Sequence, residues 1–162
     1  MTLNRKEIEF FVSILNIIHD PHKLLATKSD EVMIVNKSVK KLISDMYDTM
    51  KKNNGIGLAA VQVGVLKRIV VIEIEDLGIK LELINPKVVD FSVNKTEMEE
   101  GCLSVPKRSY RVSRPEKVSV EYIDIKGKQQ RIEADGLLSK CLQHEIDHLN
   151  GITIVDRGEP LE

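Results

Sequence analysis

The sequence has no tryptophan, and its nine glycines and five prolines give no excess of either residue; with no low-complexity tract or repeat, a fibrous or disordered chain is excluded. Cysteine is scarce: Cys102 and Cys141 are the only two, too few for the disulfide framework of a small secreted protein. No sign of charge dominates, since 24 basic side chains face 25 acidic ones for a net charge of −1. Counterion release from phosphate therefore has no global basic surface to act on, and direct nucleic-acid binding is not expected. No apolar run approaches the roughly 20 residues that a membrane-spanning helix needs. The one stretch that imitates a secretory core, residues 10–18, follows Glu7 and Glu9, contains Asn16 and leads to His19-Asp20-Pro21 without a small-residue cleavage site. What remains is a cytoplasmic globular chain of 162 residues, 42% apolar and 30% charged, the size of a single domain spanning 1–162.

Periodicity supplies the elements. Val39, Leu42, Ile43, Met46, Tyr47 and Met50 recur at spacings of three and four, predicting a helix over 37–52 that stops at Asn53-Asn54-Gly55. Residues 68–75 (RIVVIEIE) are rich in β-branched side chains and read as a strand; 80–84, 117–122 and 129–133 read the same way between turn residues. A second helix is predicted over 137–149, closed by Asn150-Gly151. Strands in the middle and a helix near the end indicate an α+β fold, with antiparallel sheets packed around a C-terminal metal-binding helix.

That helix carries His144-Glu145-Ile146-Asp147-His148. Positions i and i+4 share one helical face, so both imidazoles can reach a single metal while Glu145 reaches water at an open coordination position. Two histidines can also fall on a helix by chance, so a third ligand is the deciding feature. The extended metzincin pattern would place it at residue 154, which is Ile154, and few residues follow His148 to supply a downstream glutamate. The ligand is therefore sought upstream. Cys141 precedes His148 by seven residues, about 10 Å along the helix, out of reach of a metal held by both histidines, and reads as a small core residue. Cys102 lies in Glu99-Glu100-Gly101-Cys102-Leu103-Ser104-Val105-Pro106, a loop-like stretch ahead of a strand, where its thiolate would complete a Cys-His-His set. His19 and His22, beside Pro21, read as a surface turn.

Three separated motifs, Gly55-Ile56-Gly57-Leu58-Ala59-Ala60-Val61-Gln62, Glu100-Gly101-Cys102-Leu103-Ser104 and Gln143-His144-Glu145-Ile146-Asp147-His148-Leu149-Asn150-Gly151, together resemble the bacterial-type peptide deformylase family in their order. The similarity runs more loosely from Ile14 to Asp156, taking in the Pro21 region and Arg114-Pro115. The resemblance implies a hydrolase that removes the N-formyl group from the starting methionine of nascent proteins and releases formate. It implies that Cys102, His144 and His148 hold one divalent metal ion, iron(II) in most of the family, with zinc, nickel or cobalt as substitutes in purified protein. Glu145 would be the general acid and base; Gln62 and the backbone N–H of Leu103 would be the oxyanion donors. The substrate would lie extended beside a sheet edge, with Gly57 allowing its backbone to approach and Ile56, Val105, Leu137, Leu138 and Cys141 around the methionine side chain.

Other readings of single residues stay open. Gly55 and Gly57 can merely form a turn, and Gln62 alone reads as a surface amide. Glu100 is either a partner fixing a histidine tautomer or an exposed acid. Asp147 points away from the ligand face, solvated or structural. About a dozen residues precede the usual family start, and Ile8, Phe11 and Leu15 would line a short helix there. The chain ends at Asp156-Arg157-Gly158-Glu159-Pro160-Leu161-Glu162, where some relatives continue into a long basic helix thought to dock on ribosomes; transient proximity to the ribosome, but not docking by that route, is expected. The rival readings are a general HExxH metallopeptidase and a non-catalytic metal-binding relative; an intact Glu145 and Gln62 argue against the second.

Overall fold

The computed structural model of the chain describes residues 13–162. The helix expected to use Ile8 and Phe11 falls outside them. Leu15, expected on the same helix, lies instead outside any helix or strand, its N–H donating to Thr49 Oγ1 at 2.8 Å.

Helix α1 spans Lys37–Lys52, the bounds its periodicity predicts. The Asn36 side chain accepts from the Val39 N–H at 3.0 Å, satisfying a donor that the first turn leaves unpaired. Val39, Ile43, Met46, Tyr47 and Met50 form its buried stripe. At the far end Asn54 takes a φ of 58°, a left-handed conformation that asparagine tolerates, and the chain turns into β1 (Gly57–Ala59).

Strand β2 (Ile69–Ile74) explains its own composition. Ile69 and Val71 pack with Ile43, Met46 and Met50 of α1, while Val70, Ile72 and Ile74 pack with Leu142, Ile146 and Leu149 of α2 (Gly136–Leu149). Alternate residues face opposite sides of a strand, so one covered on both faces needs a nearly continuous apolar run. With β3 (Ile79–Phe91), β6 (Val118–Ile123) and β7 (Gln129–Ala134) it forms an antiparallel sheet in the order β1-β2-β3-β6-β7. Strand β3 runs beyond the predicted 80–84 because the register shifts between Ile84 and Lys87, with Asn85 at φ 51°. Such an irregularity accommodates Pro86, which cannot donate to a regular ladder.

Helix α2 is enclosed on every side: all of residues 139–149 are buried. At its end Gly151 (φ 74°) passes so close to Ala26 that a Cβ would stand 2.7 Å from that residue's carbonyl. The second sheet, in the order β4-β5-β8, covers the helix from another side. It comprises β4 (Lys95–Cys102), β5 (Val105–Pro115) and β8 (Glu159–Leu161), the last reached through the short helix α3 (Ile154–Arg157). The loop expected around Cys102 is instead the end of a strand, joined to β5 by the two-residue turn Leu103-Ser104. Strand β4 lies at a sheet edge with mostly exposed side chains, so no apolar alternation marks it in the sequence. Glu100 pairs with Tyr110 and Cys102 with Val105, which leaves residues 106–109 bulging out of β5.

Candidate active site

Strand β4 delivers Cys102 and helix α2 delivers His144 and His148 to one place. Their donor atoms all lie within 4.8 Å of one another, and Cys102 Sγ stands 3.3 Å from His148 Nε2. Metal bonds of about 2.0–2.3 Å in tetrahedral geometry put neighbouring donors roughly 3.5 Å apart. The three side chains therefore have the chemistry and spacing to hold one small cation. Cys141 packs among the apolar side chains of the core, where burial pushes its thiol pKa well up and keeps the sulfur protonated.

Glu145 sits between the two histidines on α2. It is only 3% exposed, its Oε1 is 3.5 Å from His144 Nε2, and its Oε2 has no hydrogen-bond partner among the described residues. Burial is the main reason its pKa rises to about 7, against the opposing charge of His144. A carboxyl with a free oxygen and a pKa near neutrality can both take up and give back a proton.

Charges that look solvated in the sequence form one buried chain. His144 Nδ1 lies 2.8 Å from Glu100 Oε1. Burial would raise the Glu100 pKa, but hydrogen bonds from His144 and Arg114, with the Arg114 charge, bring it down to about 2. The ionised carboxylate accepts from Nδ1–H, so Nε2 is the nitrogen left to a metal, which would displace its proton. Arg114 grips Glu100 with two bonds of 2.7 and 3.0 Å and donates to Asp147 Oδ2 at 2.8 Å. Arg157 of α3 closes the chain with two 3.0 Å bonds to Asp147. Glu100 thus fixes the tautomer and is not an exposed acid, and Asp147 is structural, 8% exposed and not solvated. The sequence carries no local signal for Arg157, whose role depends wholly on a partner ten residues earlier.

Gln62 is buried at 1% exposure, not a surface amide. Its Oε1 accepts from the Ala59 N–H at 2.9 Å, which turns the amide nitrogen toward Ser104 Oγ at 3.1 Å and Cys102 Sγ at 3.5 Å. Leu103 follows Cys102 at the hairpin turn. Gly57 borders the cleft, and a Cβ there would lie 2.8 Å from Cys141 Sγ and 3.1 Å from Glu145 Cγ. The space beside its Cα is taken by α2, so the glycine lets β1 press against the helix that carries Glu145.

These groups open into a cleft of about 1110 Å³, with Ile56, Val105, Leu137 and Cys141 among its walls. Leu138 is not among them and packs against the core instead. It lies about 100° around the helix from Leu137, whereas Cys141, one turn on, returns to the cleft face. The segment containing Ile14 and Ile17 also borders the cleft, held by the Ile18 N–H donating to the Gln62 carbonyl at 2.7 Å.

A thiol and two imidazoles around one point, with an unpartnered carboxyl between the two histidines in a peptide-sized cleft, fit a metal-dependent hydrolase. Comparison with known proteins narrows the class. Residues 14–162 match the family described as polypeptide deformylase, and the chain belongs to it. It is 48% identical to the peptide deformylase of Nitrosococcus oceani, over 90% of this chain and 87% of that protein. A peptide deformylase of Wolbachia from Brugia malayi is 41% identical, over 87% and 85% of the two chains. The crystal structure of Synechococcus elongatus peptide deformylase in complex with actinonin superposes with a TM-score of 0.86 at 43% identity, covering 90% of this chain and 79% of the other. The Thermotoga maritima enzyme reaches 0.87 at 32% identity, with 91% and 99% covered.

Proposed function

We propose that this chain removes the N-formyl group from the N-terminal methionine of nascent proteins, releasing formate and a free amine. The observation that carries the reading is the meeting of Cys102, His144 and His148 within 4.8 Å beside Glu145, in a chain of the deformylase family. Cys102, His144 and His148 would hold one divalent ion, iron(II) by family resemblance. When bound, that ion supplies Lewis acidity, making water a stronger acid and the formyl carbonyl a better electrophile. Glu145 Oε2 takes the proton of the attacking water, and the same carboxyl then delivers it to the leaving amine. Gln62 Nε2 and the Leu103 N–H donate to the formyl oxygen as it gains negative charge, an interaction whose loss costs about 3 kcal/mol. The methionine side chain sits against Ile56, Val105 and Leu137.

Among the described residues no helix is long and apolar enough to cross a membrane. A nascent-chain substrate implies a cytoplasmic enzyme that works close to ribosomes during synthesis. The metallopeptidase and non-catalytic readings are not favoured in a chain of this family. The test is a formylated methionyl peptide incubated with metal-loaded enzyme prepared without oxygen. Stoichiometric formate with intact peptide bonds supports the reading; cleavage of the peptide chain without formate refutes it.

A further inference from the structure

A cleft of about 1110 Å³, at the top of the roughly 300–1000 Å³ range of small-molecule pockets, has room for residues that follow the formylated methionine. Its exposed charges are mostly of one sign. Lys52 at the end of α1, and Lys107 and Arg108 in the bulge of β5, are exposed and line the cleft, against Glu99 as the exposed acid. The remaining charged groups are engaged or buried. Glu100 is held by Arg114, and Lys140 Nζ donates to the carbonyls of Thr96 and Arg114. Among the described residues, Lys52, Lys107 and Arg108 take part in no ion pair. In a chain of net charge −1, this local surplus runs against the average.

Two features shape the bulge without neutralising its cations. The Arg108 guanidinium lies 5.4 Å from the Tyr110 ring centroid and donates to the Tyr110 hydroxyl at 2.5 Å. A hydrogen bond to a neutral hydroxyl orients the cation while its full charge is kept. Lys107 occupies a φ of 62°, a region unfavourable for a non-glycine residue that persists only where the surroundings enforce it.

We infer that Lys107, Arg108 and Lys52 form an electrostatic selector favouring nascent chains with aspartate or glutamate soon after the methionine over chains with lysine or arginine there. The inference rests on the deformylase reading of the site. Attraction of this kind acts on encounter and binding, so it appears in kcat/KM rather than in kcat and is screened by salt.

The test measures formate release by the metal-loaded enzyme from formyl-Met-Ala-Glu-Glu, formyl-Met-Ala-Gln-Gln and formyl-Met-Ala-Lys-Lys, all as C-terminal amides. In low salt kcat/KM should fall in that order, with a glutamate-to-lysine ratio of about ten that shrinks below about three in high salt. In the double variant Lys107→Gln, Arg108→Gln the low-salt ratio should fall at least about three-fold. Each ratio is taken within one preparation, so loss of folded enzyme cancels. Equal kcat/KM for the three peptides, a ratio indifferent to salt, or one that survives in the double variant overturns the selector and leaves the deformylase reading standing. No formate from any of the peptides takes down both.

Discussion

Glu100 Oε1 lies 2.8 Å from His144 Nδ1 while its Oε2 lies 2.7 Å from Arg114 Nε. One carboxylate thus orients the His144 imidazole on α2 and is locked to the strand pair that ends in Cys102. Through Arg114 the same contact continues to Asp147, one residue before His148, so the placement of all three donors depends on a single buried chain of charges.

Replacing Glu100 with glutamine removes one of the two acids that neutralise Arg114, which is 4% exposed. Leaving a buried charge short of its partner costs about 3–5 kcal/mol, and loss of a carboxylate behind a ligand histidine lowers metal affinity about 10–100-fold. Chemical denaturation of the metal-free protein and competitive metal titration measure the two effects separately. Wild-type affinity in Glu100→Gln would show that the hydrogen bond to His144 does not govern the ligand.

Gly57→Ala should destabilise the protein by about 1–3 kcal/mol, because the new methyl meets Cys141 Sγ at 2.8 Å. Pairing it with Cys141→Ala removes the sulfur that it strikes. The double-mutant cycle should therefore show a favourable coupling of about 1 kcal/mol. Strict additivity in urea unfolding would mean that Glu145, at 3.1 Å, or β1 itself absorbs the strain.

Glu145→Ala should leave bound metal in place, since this residue is not one of the three clustered donors, and lower turnover by about 10²–10⁴. Metal analysis beside a formate assay decides it. A metal-loaded variant turning over near the wild-type rate would require a different proton carrier.

How much of this was legible without coordinates depended on whether the determining contacts were local. Helix α1 was readable because its apolar stripe and its Asn53-Asn54-Gly55 stop both lie within its own stretch of chain. Strand β2 was readable because both its faces are buried, and the HExxH spacing because one helical turn sets it. Strand β4 was not: KTEMEEGC lies at a sheet edge, and its only buried residue, Glu100, is a charge. Glu100, Arg114, Asp147 and Arg157 lie far enough apart in sequence that only the fold shows each charge finding its partner. Leu138 was misplaced by one position of helical phase, and the packing role of Gly57 was not legible because the helix it touches lies more than eighty residues further along the chain.

The most direct test compares Cys102→Ala with Cys141→Ala, each purified without oxygen, stripped, and reloaded with one equivalent of iron(II). Metal per chain and formate release from a formyl-methionyl peptide are read on the same samples. The account predicts that Cys102→Ala loses both, while Cys141→Ala, whose sulfur belongs to the apolar core, keeps its metal and still releases formate. Equal metal retention in the two variants, or formate release from Cys102→Ala at the wild-type rate, would contradict it.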